Sequence, residues 1–249
     1  MAARKIKTAW IVIGIIAVVL VIVGVLSFNI IRSVIAITTM KPLDTGPVSG
    51  QVSAVKNDYV NFYLYKSGDK YIVFDAGADQ GVAQKALEDL GIDPADVAAV
   101  FLTHTDGDHV TALPLFTSAQ VYMGESNRAF LEGKDGQSRS GVFLGMGLAV
   151  KTMQDQETVL VAGVSVQCLY TPGHTAGSVC YLVDGKYLFV GDTLNLKDGK
   201  AVLFNDVFNM DNDVQAESIR RLSGLAGVEA VFTMHTGYSV DPKAAFAGW

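Results

Sequence analysis

The chain has 249 residues, half of them hydrophobic, and a formal net charge of −6; that length suits one substantial domain plus an appendage. Residues 1–37 hold four Lys/Arg and no Asp/Glu, so the remainder carries 15 basic and 25 acidic residues, a net of −10. An acidic domain of that kind is a poor partner for nucleic acid or anionic lipid.

Twenty consecutive residues, Ala9 to Phe28, carry no charge. As a helix they span about 30 Å, the thickness of a bilayer core. Apolar character resumes after Asn29 and runs to Ile37, broken by Arg32 and Ser33. Arg4, Lys5 and Lys7 precede the run with no acidic residue, which puts the N-terminus in the cytoplasm and the rest outside; Trp10 suits the interface. The competing reading is a cleaved signal peptide. Its apolar stretch is ordinarily shorter, roughly 7–15 residues, and no convincing small-x-small site follows here. A buried core helix is disfavoured because Ile11–Leu26 has no polar face. The expected organisation is a cytoplasmic tip and transmembrane anchor over 1–37, a linker over 38–50 (TTMKPLDTGPVSG) and a folded domain over 51–249.

Short strands follow: Gln51–Lys56, Tyr59–Lys66 and Lys70–Phe74, with Ser67-Gly68-Asp69 as a hairpin turn. Residues 80–90 have helical spacing, with Val82, Ala86, Leu87 and Leu90 on one face and Gly91 as terminator. Val97–Thr103 reads as a buried strand, Val110–Phe116 as the start of a helix, Gln120–Met123 as a strand and Ser126–Leu131 as helical. The glycine-rich stretch 132–147 looks like an inserted loop or lid. Strands resume at Thr158–Val161, Val164–Tyr170, Ser178–Val183 and Tyr187–Val190. Asp213–Leu225 is a helix with Asp213 as N-cap candidate, and Val228–Thr233 is a last strand. Strands in groups with helices between them argue for a layered α/β domain. Cys168 and Cys180 flank His174 at equal distance. A hairpin of the strands that carry them leaves two options, a disulfide or two buried thiols.

The chain has four histidines: His104, His109, His174 and His235. Each follows a predicted strand, in a Gly- or Thr-containing loop, as ligands gathered at one rim of a sheet would. His104-Thr105-Asp106-Gly107-Asp108-His109 packs four potential ligands into six residues. Alternate positions of an extended turn point the same way, so His104, Asp106 and Asp108 can converge while His109 reaches a second position. Imidazole and carboxylate together suit zinc, manganese or iron. A solvated acidic loop is the bland alternative.

FDAG at 74–77, THTDGDH at 103–109, TPGHTAGS at 171–178, GDTL at 191–194 and HTGY at 235–238 give the chain its resemblance to the metallo-β-lactamase superfamily, over about residues 50–249. The resemblance implies a four-layer αββα sandwich as the catalytic domain, with two divalent metal ions, zinc before iron or manganese, at one edge. It assigns His104, Asp106 and His174 to the first metal and Asp108, His109 and His235 to the second. Asp192 would bridge both. Asp108 and Asp192 are the carboxylates assigned to catalysis, and Asp75 orients the metal-binding loop without binding metal. One departure stands out: the family usually has His where this chain has Asp106. A carboxylate is harder and charged, and iron-binding flavodiiron proteins carry one there.

The chemistry expected of such a site is attack by a metal-bridging hydroxide on an ester, lactone, thioester or phosphodiester of a small-molecule substrate, with no catalytic serine or cysteine. Ser178 and Thr175 read as loop hydrogen-bonders. Tyr238 is a candidate substrate contact, with packing as the alternative. The 14 residues after His235 leave no room for the helical substrate domain of glyoxalase II-like thioesterases. Two other functions compete: a non-hydrolytic di-iron redox protein, and an anchored binding or sensor domain of the same fold.

Overall fold

Alternation of side chains along the strands sorts the apolar residues into three separate layers of contact. The computed structural model describes residues 2–128 and 149–249, in two compact units, Met1–Thr39 and Met40–Trp249. The first is one helix, α1 (Ala2–Thr38). Its stretch Gly14–Thr38 is, among the described residues, the one helix long and apolar enough to cross a membrane, a test that a signal sequence also passes.

The second unit holds two facing sheets. The first, β1 to β7 in chain order, comprises β1 (Gly46–Ser49), β2 (Val52–Asn57), β3 (Val60–Ser67), β4 (Lys70–Phe74), β5 (Val97–Leu102), β6 (Gln120–Gly124) and β7 (Val150–Met153). It is antiparallel from β1 to β4 and parallel from β4 to β7. The second contains β8 (Thr158–Val161), β9 (Val164–Tyr170), β10 (Val179–Val183), β11 (Tyr187–Phe189), β14 (Ala230–Phe232) and β15 (Tyr238–Ser239), in the order β15-β14-β11-β10-β9-β8. A small hairpin, β12 (Asn195–Lys197) and β13 (Lys200–Val202), stands apart.

On β3, Val60, Tyr63 and Tyr65 point between the sheets while Phe62 and Leu64 point to the other face. The inter-sheet layer is aromatic: Phe74 lies flat on Phe189 at 3.9 Å, and Phe101 on Tyr122 at 4.7 Å. Such rings bury large areas at little entropic cost. The outer face of the first sheet is covered by α2 (Gln80–Asp89), α3 (Gly107–Val110) and a 3-10 turn at Leu113–Leu115, through Ala83, Leu87, Val110 and Leu113. The outer face of the second is covered by Ile219 and Leu222 of α4 (Asn212–Ser223) and by Phe246, which follows α5 (Pro242–Ala245). This is the four-layer αββα sandwich.

Several local expectations change. Residues 46–49, read as the end of a linker, are the edge strand β1, where Pro47 is tolerated because an edge strand need not donate on both sides. Asp79 caps α2 by accepting from Val82 N–H at 2.8 Å. The phase this sets turns Ala83 and Leu87 inward and leaves Val82 46% exposed. The helix expected over 110–116 starts earlier, at Gly107, and lasts one turn before Pro114 diverts the chain into the 3-10 turn. The N-cap of α4 is Asp211, which is extended and accepts from the N–H groups of Asp213 and Val214; Asp213 sits in the first turn. Glu125–Asn127 is a 3-10 turn, and the lid expected at 132–147 lies outside the described residues.

The disulfide option is closed by register. Cys168 pairs with Tyr181, and Cys180 with Leu169. One thiol therefore faces the inter-sheet layer and the other the helices, because neighbours one register step apart occupy opposite faces of a sheet. Both cysteines are free and buried.

Candidate metal centre

β4, β5, β9, β11 and β14 end at the same edge of the sandwich, and the five motif loops leave from there. Ligand sites of α/β folds form outside the carboxyl ends of strands for this reason. Hydrogen bonds between the sheets lock the edge. Tyr63 Oη donates to Thr233 O, Tyr181 Oη to Leu102 O, and Val179 N–H to Thr103 O, all at 2.8–2.9 Å.

The loops bring His104, Asp106, Asp108, His109, His174, Asp192 and His235 together. Asp192 is central. Its Oδ2 faces His174 Nε2 at 3.5 Å and His104 Nε2 at 3.9 Å; its Oδ1 faces His235 Nε2 at 3.3 Å and His109 Nε2 at 3.5 Å. Asp106 completes the first set, 3.4 Å from His174 Nε2 and 3.9 Å from His104 Nε2. Asp108 completes the second, 3.6 Å from His235 Nε2 and 3.7 Å from His109 Nε2. Three overlapping trios could each hold a cation: His104–Asp106–His174, Asp108–His109–His235 and His104–His109–Asp192.

Among the described residues, the buried side-chain nitrogens and oxygens without a hydrogen-bond partner are the four His Nε2 atoms and Asp192 Oδ1. Leaving such atoms unsatisfied is costly, and here all of them line one spot. Each imidazole is tied at its other nitrogen. His109 Nδ1 donates to Asp75 Oδ2 at 2.8 Å and His235 Nδ1 to Tyr59 O at 2.8 Å. Thr103 Oγ1 donates to Asp75 Oδ2 and so accepts from His104 Nδ1 at 3.0 Å. His174 Nδ1 donates to Asn209 Oδ1 at 3.3 Å. Each Nδ1 is thus tied to an acceptor, which leaves each Nε2 as the nitrogen that faces the cluster and could bind a cation. The donor set fits divalent cations.

The backbone supports these positions. Asp75 has φ 60°, a left-handed conformation that Asp tolerates better than most residues. It is fully buried and takes Thr103 N–H on Oδ1 at 2.8 Å. Gly191 and Gly173, both at positive φ, are close approaches: a Cβ on the first would strike Thr103 Oγ1, and one on the second the backbone of Gln215. Buried Gln215 donates to Asp192 O at 3.1 Å and exchanges hydrogen bonds with Asn209, so one side chain of α4 steadies both His174 and Asp192. Thr175 and Ser178 bond to each other within their loop, Oγ to Oγ at 2.8 Å.

The electrostatics differ across the site. Burial, then His109 and His174, push His104 down to about 4. Burial opposes protonation of His109 as well, but Asp192, Asp108 and Asp75 carry it well above the ordinary value. His235 is raised in the same way, burial being outweighed by Asp192 and Asp108. Burial works against the charge on Asp192 and on Asp106, yet His235 and His109 hold Asp192 far below the carboxylate range, and His174 and His104 do so for Asp106.

The metallo-beta-lactamase superfamily model matches residues 55–235. The chain belongs to that superfamily. Its curated relatives include a probable polyketide biosynthesis zinc-dependent hydrolase of Bacillus subtilis, 34% identical over 103 residues (40% of each chain). A hydroxyacylglutathione hydrolase of Synechococcus is 31% identical over 58% of this chain and 52% of that protein. The matched stretches thus span about half the length, or less, of these relatives. Among solved structures, a metallo-beta-lactamase family protein of Thermus thermophilus superposes with TM-score 0.60 at 22% identity, over 78% of this chain and 76% of that one. A B3 metallo-beta-lactamase with an active-site glutamic acid superposes with TM-score 0.60 at 19% identity, over 84% and 86%. At those identities the superpositions establish the shared fold.

Tyr238 opens β15, paired with Phe232 at the end of β14. Its ring stacks on Phe232 at 5.8 Å and packs against the inter-sheet layer. The sequence reading missed Thr103, Tyr59, Asn209, Gln215 and Phe204. Tyr59 stacks on His235 with centroids 6.0 Å apart, and Phe204 meets His174 at 4.9 Å and His235 at 5.5 Å. Thr103 adjoins His104 and was within reach of motif reasoning; Asn209 and Gln215 belong to no motif and enter only through folding.

Proposed function

We propose that this chain is a membrane-anchored hydrolase whose site holds two divalent cations. His104, Asp106, His174 and Asp192 Oδ2 hold one; Asp108, His109, His235 and Asp192 Oδ1 hold the other. The observation that carries the reading is the convergence of every unpartnered buried side-chain atom among the described residues on this spot. Two such cations supply Lewis acidity for hydrolysis of an ester, lactone, thioester or phosphodiester of a small molecule.

The chain's own residues hold that chemistry in place. Asp75, Thr103, Asn209 and the Tyr59 carbonyl tie all four imidazoles at Nδ1. Asp192, pinned through Gln215, presents an oxygen to each half. Asp106, Asp108 and Asp192 bring three negative charges to balance the cations. Zinc is supported by the zinc-dependent relative in Bacillus subtilis. The carboxylate of Asp106 also suits iron or manganese, which are harder. Anchoring through α1, with the catalytic domain outside the cytoplasm, is supported by the helix's length and by Arg4, Lys5 and Lys7 before it.

The test is elemental analysis of the purified protein, together with a panel of ester, lactone, thioester and phosphodiester substrates. Two zinc or manganese ions per chain with turnover of one class is the expected result. Two irons without hydrolysis would replace this reading with a redox protein, as Asp106 alone would suggest, and no bound metal would leave a binding domain.

A further inference from the structure

We infer that the hydroxyl of Tyr59 is a substrate-binding donor, which holds an acceptor oxygen of a carbonyl or phosphoryl group bound at the Asp108–His109–His235 half of the site. This role rests on the hydrolase reading of the same site. Asp58 and Tyr59 form the two-residue turn between β2 and β3, closed by the pair Asn57 and Val60. Asp58 has φ 63°, a left-handed conformation that Asp tolerates. The turn is fastened on both flanks. Buried Asn57 accepts from the N–H groups of Ala78 and Asp79 at 2.8 and 2.7 Å and donates to Asp79 O at 2.8 Å. Asn61 N–H donates to Met234 O at 2.6 Å. Between these flanks the Tyr59 carbonyl accepts from His235 Nδ1 at 2.8 Å, and its ring lies within 10° of parallel to that imidazole. A side chain held in this way meets a ligand with little further ordering cost.

The fold fixes the ring and leaves its hydroxyl unused. Tyr63, Tyr65, Tyr170 and Tyr181, which also line the inter-sheet layer, each donate to a protein acceptor. The Tyr59 hydroxyl has no such bond among the described residues. Apart from burial, the groups that act on it are Asp108, His109, Asp58 and Asp192, in that order, so it lies towards the second half of the site. Asp106 and Asp108 are the ligands partly open to solvent, each side chain 18% exposed, whereas the four histidines and Asp192 are buried. A substrate therefore arrives past Asp106 and Asp108, on the side where Tyr59 stands. Other side-chain donors around the ligands are committed. Thr103 donates to Asp75, Gln215 to Asp192 O and Asn209, and Asn209 to Phe204 O and Gln215. Thr175 and Ser178 bond to each other, and Thr236 donates to Asn195. Ionised carboxylates only accept. Among these side chains Tyr59 keeps a donor for substrate, and the oxygen that accepts and gains charge during hydrolysis is the group it suits.

The experiment compares the zinc-loaded full chain with its Tyr59→Phe variant, which keeps the ring, the stacking and the backbone carbonyl. Turnover of 4-nitrophenyl acetate is one readout. Affinity for inorganic phosphate, measured by calorimetry, is the other and needs no turnover. The expected result is a kcat about 10–100-fold lower and phosphate bound about tenfold more weakly, with melting temperature and zinc content unchanged. A structural tyrosine would do the reverse: a lower melting temperature or zinc content with phosphate affinity unchanged in the loaded protein overturns the inference. Turnover and phosphate affinity both equal to those of the unaltered chain also overturn it and leave the hydrolase reading standing. Should the unaltered chain cleave no ester, the ester-hydrolase reading fails by itself, and phosphate decides the role of Tyr59. Weaker binding by the variant then supports the donor; equal binding, or none by either protein, overturns it.

Discussion

The two halves of the candidate metal centre offer the same donors and hold them differently. Each has two imidazoles, one carboxylate of its own and one oxygen of Asp192. In the Asp108–His109–His235 half, the imidazoles are tied to a buried carboxylate and to a backbone carbonyl, both at 2.8 Å. In the His104–Asp106–His174 half, they are tied to a hydroxyl and a side-chain amide, at 3.0 and 3.3 Å. A carboxylate behind an imidazole makes it a more basic ligand, and only the Asp108–His109–His235 half has an imidazole tied directly to one, Asp75 behind His109. Identical ligand sets therefore need not be equal sites, and the half resting on Asp75 is expected to fill first and release last.

The largest test removes what the halves share. Asp192→Asn deprives one half of its anionic oxygen and should abolish turnover, a drop of about 10³-fold or more, with loss of at least one metal equivalent. Elemental analysis and kinetics check this, and unchanged activity would sink the two-cation reading. Asp75→Asn removes the asymmetry at its source. It should weaken metal binding in the Asp108–His109–His235 half by about 10–100-fold, read by competition with a chromophoric chelator, so that the first and second binding steps draw together. The converse change is Asn209→Asp. A carboxylate behind His174 should tighten the weaker half by about tenfold, and no change in either step would show that the partner of Nδ1 does not set the order.

The smallest expected effect is on the pH profile of the metal-free protein. His109 and His235 have folded values above the ordinary 6.5. Their protonation adds stability that is complete below about 6.5 and lost as pH rises through the folded value. His104, lowered to about 4, acts oppositely: the unfolded chain takes up a proton there first, so stability falls as pH drops from about 6.5 towards 4. Melting temperatures with chelator present should peak near neutrality and fall on both sides, more steeply than with metal bound. A profile as flat as that of the loaded protein would contradict the pairing of His109 and His235 with Asp192.

The candidate ligands were legible because chemistry forces them into short motifs: His104, Asp106, Asp108 and His109 sit within six residues, and each remaining ligand ends a strand. The α/β layering was legible from strands in groups with helices between them, and the four-layer sandwich from the five motifs that carry the family resemblance. What stayed hidden depends on distance through space. Asn209 and Gln215 lie in an ordinary loop and helix, and only packing of α4 against the 171–178 loop brings them to His174 and Asp192. The strand β1 was hidden by Gly46 and Pro47, which read as linker composition until an edge position accommodates them. The phase of α2 was set by its cap at Asp79, and a one-residue change in phase exchanges Val82 for Ala83 at the core.

Register on β9 and β10 leaves the two thiols on opposite faces of a buried sheet, with burial pushing both upward, Cys180 to about 11. Maturation of the fold thus requires no oxidant, and neither sulfur is a target for alkylation while the layers are shut. Each becomes available when a different interface parts, Cys168 when the sheets separate and Cys180 when α4 lifts off. Labelling rates at the two sites are therefore two independent stopwatches on how this molecule comes undone.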